Sequence, residues 1–131
     1  RVIACASSAE KLRRLQELGA DHVIDYTKDD FSKKAWEISG KRGVDVLVHE
    51  VYPHTQVLPE LRIGGEVWPS YMREFHTSDL ELGVLAAAAQ PKLLVLHHIV
   101  RKGNDDEELL ASIRAGGFEG EVVVARDLDR Y

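Results

Sequence analysis

The residues of this chain whose types could move protons or hold a metal ion are His49, Glu50, His76, His97 and His98, with Ser7, Ser8, Lys11 and the single Cys5 near the start. An imidazole beside a carboxylate exchanges protons, and three or four imidazole, thiolate or carboxylate groups in a tetrahedral array hold zinc. The spacing does not supply the second arrangement. No HxH, HExxH or cysteine pair occurs, and His97 and His98, adjacent on an expected strand, point to opposite faces. Glu50 and His76 can form a hydrogen-bonded pair, but such a pair does chemistry only with an electrophile held beside it. There is no GxSxG turn for a nucleophilic serine. Cys5 lies inside an apolar run rather than in an electropositive turn, so it reads as a small buried hydrophobe. Ser7 and Ser8 stand where a helix needs an N-cap.

The elements that must position these residues follow from periodicity. Val2 to Ala6 is a short apolar run, and Ser7-Ser8-Ala9-Glu10 opens a helix striped by Leu12, Leu15 and Leu18 and stopped by Gly19. His22 to Tyr26 predicts a second strand, followed by a helix from about Asp29 to Gly40. Asp45 to His49 predicts a third strand. Ser78-Asp79-Leu80-Glu81 is a capping box ahead of an alanine-rich helix ending near Pro91. Leu93 to Leu96 is the most apolar strand, as expected of one covered on both faces, so Leu94 and Leu96 should be deeply buried. Asn104 to Glu107 caps a last helix with Leu109, Leu110 and Ile113 inward, before a strand over Val122 to Ala125. Five strands alternating with four helices predict an α/β fold with a parallel sheet. Residues 51–77 interrupt the alternation: they hold three of the four prolines and the pair Gly64-Gly65, and read as a long loop with at most one helical turn around Ser70 to Glu74. Its aromatic residues need a surface. Trp68 and Phe75 are the expected anchors, and self-association through the 51–77 segment is the expected fate of what stays uncovered.

Composition bounds the function. With 131 residues and 44% hydrophobic content, the chain suits one domain, 1–131, with one core. The net charge of −5 comes without long blocks of either sign, which argues against nucleic acid as a partner and against a membrane surface. No apolar run approaches membrane-spanning length, and one unpaired cysteine fits a reducing compartment, so a cytoplasmic location is expected.

Two resemblances overlie this reading. Residues 1–48, through the strings ASSAEKL, LGADHVIDY and GVDVLV, resemble the cofactor domain of medium-chain dehydrogenases and quinone reductases, entered at the second strand. The resemblance implies that Ser7, Ser8 and Lys11 stand near the adenosine ribose and its 2′-phosphate. The glycine-rich turn that holds the pyrophosphate in such domains is missing. From Val44 onward, VDVLVHEVY, FHTSDLELG and LLVLHH resemble the C-terminal part of a metallo-β-lactamase-fold hydrolase, which implies proton-handling roles for Glu50 and His76 and a zinc-ligand role for His98. The HxHxDH motif of that fold is missing too. Taken together, these imply a chimera of a 1–48 half and a 49–131 half. Without its parent's first strand, the dehydrogenase half would pair the strand at Val2 to Ala6 directly with the strand at Asp45 to His49, giving a doubly wound five-stranded sheet in the flavodoxin-like order 2-1-3-4-5. With both parent sites incomplete, the expectation is an engineered or recombined folding scaffold that is not an enzyme and has no cofactor. The alternatives are a remnant metal-dependent hydrolase and a weak NADPH-binding or nucleotide-binding module.

Overall fold

A computed structural model describes residues 1–56, 67–100 and 105–130. The chain is α/β with parallel strands, and it divides into two compact units, residues 1–44 and 45–131.

The first unit is a β-α-β-α run. β1 (Ile3–Ala6) and β2 (His22–Asp25) pair in parallel, from Ile3 opposite His22 to Ala6 opposite Asp25. Helix α1 (Ala9–Glu17) starts because the Ser8 hydroxyl caps the Lys11 amide, and it ends as Gly19 turns into a positive φ of 103°. Helix α2 (Phe31–Ile38) is capped by Asp30, whose carboxylate accepts from the Ser32 and Lys33 amides. The apolar stripe on α1 is only partly covered: Leu12 and Leu15 are half-buried, whereas Leu18 is 71% exposed. Cys5 also faces outward, against the expectation of a buried thiol; alternation along β1 places it opposite Ala6, the strand's buried residue.

The second unit holds the sheet β3 (Val46–Val51), β4 (Leu93–Ile99) and β5 (Glu121–Val124), with helices α3 (Trp68–Phe75), α4 (Asp79–Ala89) and α5 (Asp106–Ala115). β4 lies in the middle, parallel to both neighbours. Leu94 and Leu96 are fully buried and join Val51, Leu82, Ala86, Leu109, Ile113 and Phe118 in one core between the sheet and the pair α4 and α5. The two helices meet where Gly83 faces Gly116: a Cβ on Gly83 would stand 2.4 Å from the Ile113 carbonyl oxygen and 2.9 Å from the Gly116 Cα. Only hydrogen side chains permit that approach.

Three expectations need correction. The strands form two sheets, β1-β2 and β3-β4-β5, in place of one sheet in the order 2-1-3-4-5. The expected β1–β3 pairing rested on closing a gap left by one strand. The loop after the third strand also contains an eight-residue helix, α3, started by Pro69 in its first turn. Residues 57–66 lie outside the described set. Finally, the side chain that α3 buries is Met72, 1% exposed, while Phe75 is 61% exposed. Residues 72 and 75 sit three positions apart, and here the flexible thioether rather than the ring takes the covered side.

Candidate functional site

In the second unit the sequence-derived candidates gather at the C-terminal end of β3 and β4, the edge where ligands of parallel α/β sheets bind. Glu50, next to last on β3, reaches the α3–α4 junction: its Oε2 lies 2.9 Å from His76 Nδ1, and its Oε1 accepts from the Thr77 amide at 2.7 Å. His76 is the C-cap of α3, its backbone amide bound to the Met72 carbonyl at 2.9 Å. A carboxylate can only accept, so His76 donates to it from Nδ1. The ring stands 5.7 Å from Tyr71 and 5.9 Å from His98, centroid to centroid.

His98 reaches that position through a backbone irregularity. Glu50 pairs with His97, but Val51 pairs with Ile99, so His98 is the extra residue of a β-bulge and takes a positive φ of 44°. The bulge has a packing cause. Leu94 and Leu96 face the core, and strict alternation would bring His98 in after them; the extra residue lets Ile99 pack against the core instead. His49 Nδ1 turns away to the Glu50 carbonyl at 2.7 Å, and His97 is exposed.

One pair was not singled out from the sequence. His54 Nδ1 lies 2.6 Å from Oδ1 of Asp79, a carboxylate 1% exposed at the start of α4. Beside it, burial pushes the Tyr52 phenol up from its ordinary value, with the Glu81 charge adding to the shift. The available signal was Asp79 directly after the capping Ser78; its partner, 25 residues away, could not be read from spacing.

In the first unit, Ser7, Ser8 and Lys11 lie together at the C-terminal end of β1. Ser8 Oγ accepts from the Lys11 amide at 3.4 Å, Ser7 is half-buried, and the Lys11 side chain is exposed. At the end of β2, the Lys28 ammonium, and then the Thr27 hydroxyl, hold the Asp25 carboxyl down to about 2.

The family profile of zinc-binding dehydrogenases matches residues 1–67, just over half of the 131-residue chain. The chain belongs to that family. A 2-haloacrylate reductase from Burkholderia sp is 38% identical over 50 residues, a stretch covering 38% of this chain and 15% of the reductase. The chain thus spans a small part of that relative's length.

These matches correct the functional expectation. The matched segment is continuous past residue 48, where the halves were expected to join, and takes in Glu50 and His54. The chain stands with a dehydrogenase family and a named reductase, which overturns both the folding scaffold and the metal-dependent hydrolase. The hydrolase reading rested on a resemblance from about Val44 to residue 131, and Glu50, His76 and His98 do meet. What a hydrolytic metal needs as well is a ligand set, and among the described residues no group of three or more His, Cys, Asp or Glu could hold a metal ion. The zinc named in the family's description therefore does not fit the described residues. Among those residues, no helix is long and apolar enough to cross a membrane.

Proposed function

We propose that the chain supplies the adenosine-side portion of the nicotinamide dinucleotide site of a reductase in the zinc-binding dehydrogenase family. The observation that carries this is the match over residues 1–67, within which Ser7, Ser8 and Lys11 sit at the end of β1 and the start of α1. When bound, the dinucleotide supplies the hydride. The chain's own part is to grip the far end of that molecule. The Ser8 hydroxyl has one hydrogen to donate and two lone pairs; capping α1 uses a lone pair, so its hydrogen is free for a ribose or phosphate oxygen. The amide end of α1 favours an anion, and the exposed Lys11 ammonium adds a full positive charge. Glu10, in the first turn of α1, opposes the anion and keeps the grip modest.

The test is amide chemical-shift perturbation with NADPH and with NADH. NADPH should shift the signals of Ser7, Ser8 and Lys11 at lower concentration than NADH, and Lys11→Glu should abolish the preference. Equal responses to the two, or shifts confined to residues 45–131, would rule the reading out.

A separate origin for the part of the 49–131 half that lies beyond the 1–67 match, in a metallo-β-lactamase-like fold, is favoured by one observation: His76 and His98, both beyond that match, come together beside Glu50 as that resemblance implies. This concerns ancestry and carries no hydrolytic activity. It predicts two unfolding transitions in urea, one for each unit; a single transition seen alike by Trp36 and Trp68 fluorescence counts against it.

A further inference from the structure

The His54–Asp79 pair includes none of the residues that the resemblances point to. Oδ1 of Asp79 accepts from the His54 amide at 3.0 Å, the Leu80 amide at 2.8 Å and His54 Nδ1 at 2.6 Å. The carboxylate is buried, while the His54 side chain is 41% exposed. The loop that carries the ring is held from both sides: Pro53 is fully buried, the Gln56 amide bonds the Pro53 carbonyl at 3.1 Å, and Gln56 Nε2 donates to the Val100 carbonyl at 2.9 Å. An oxygen that already accepts from two backbone amides is placed to accept from Nδ1 as well, and a neutral ring with its hydrogen on Nδ1 carries its lone pair on Nε2. A buried anion thus fixes the tautomer of an accessible imidazole, the arrangement that activates histidine as a base or nucleophile.

We propose that His54 is a nucleophilic imidazole that accepts a phosphoryl group at Nε2 from small phosphoramidate-type donors. The donor reacts as its zwitterion, with the nitrogen already protonated to –NH3⁺: as the Nε2–P bond forms, the P–N bond breaks and its electron pair leaves with that nitrogen as ammonia. The hydrogen on Nδ1 stays in place. The ring becomes an imidazolium, and the Asp79 carboxylate offsets the positive charge that develops, through a short charge-assisted hydrogen bond shielded from water. His76 has the same Nδ1–carboxylate pairing, yet its side chain is 15% exposed and its ring lies against Tyr71 and His98. A tetrahedral phosphorus group therefore reaches His54 more readily than His76.

The experiment treats the full chain with phosphoramidate and follows each histidine by peptide mass spectrometry. His54 should label first, about tenfold faster than His22, His49 or His97, and Asp79→Asn should remove most of that advantage, because the ring then loses its fixed tautomer. His54→Gln should abolish the fast phase and leave the slow labelling of the other histidines as it was. Because Asp79 is buried and its variant can fail to fold, the tautomer is also read on the unaltered protein by nitrogen chemical shifts of the His54 ring. A proton on Nδ1 is required. A ring protonated on Nε2 instead, or labelling at His54 no faster than at the other histidines, overturns the proposal.

Discussion

The two units differ in what holds them together. Residues 45–131 enclose a continuous apolar core, from Val51 on β3 to Phe118 beyond α5. Residues 1–44 bury only Ala6 and Ile24 among their apolar side chains, and leave Leu18 and Trp36 exposed. Yet the first unit lies wholly within the dehydrogenase match, whereas most of the second lies beyond it. Family likeness therefore resides here in strand ends, caps and turns rather than in the density of packing. The first unit depends on local hydrogen bonds, such as Asp30 on the Ser32 and Lys33 amides and Asp25 on Thr27 and Lys28. The second depends on apolar area removed from water, the dominant driving force of most folds.

The sharpest way to break this contrast is a pair of leucines. Leu96→Ala should cost about 2–5 kcal/mol in urea melts, the range for emptying a packed core site. Leu18→Ala, on the exposed end of α1, should stay within about 0.5 kcal/mol. Comparable losses at the two sites would mean that the first unit is buried as deeply as the second. Gly83→Ala comes next: its Cβ would collide with the Ile113 carbonyl and the Gly116 backbone, and overpacking of that kind costs about 1–3 kcal/mol. The helix caps sharpen the comparison further. Ser78 is buried and takes part in a full capping box with Glu81, whereas Ser8 makes one long bond. Ser78→Ala should therefore fall at the upper end of the roughly 0.5–2 kcal/mol range for lost caps and Ser8→Ala at the lower end. Smallest is an acid effect confined to the first unit. The Asp25 carboxyl is held at about 2, below its ordinary value near 3.9. A depressed carboxyl contributes stability above its unfolded value and loses it as pH falls through the folded one, so the Asp25 turn should loosen between about pH 4 and pH 2. Asp25→Asn should flatten that limb in an NMR titration of the Thr27 and Lys28 amides.

Much of this arrangement was legible in the residues. The apolar run Leu93 to Leu96 announced the central strand, and the capping box at Ser78 and the stop at Gly19 placed helix ends correctly, because each rests on chemistry within four residues. The grouping of strands into sheets was not legible, since it depends on which edges meet, and a strand's own residues do not encode that. Nor was α3 beyond a single turn: Trp68 to Phe75 contains a proline and three aromatics and read as loop, and the helix is anchored by Met72 rather than by its rings. Of the candidate site, Glu50 and His76 were expected as a pair and are bonded. His98 joins them only because a bulge breaks the alternation from which its direction had been inferred, and Asp79 read as a cap residue with no hint of His54.

That bulge has a further bearing on how the chain can vary. β4 already carries one residue more than its partner strand requires, so position 98 is where a change of length does least harm. Deleting His98 would restore an even ladder that keeps Ile99 opposite Val51 without moving Leu94 or Leu96. Deleting Val95, three residues earlier, would invert the remainder of the strand and turn Leu96 away from the core beneath α4 and α5. Along this one strand, tolerance of insertions and deletions should rise abruptly at a single residue, and natural length variation among related chains should concentrate there.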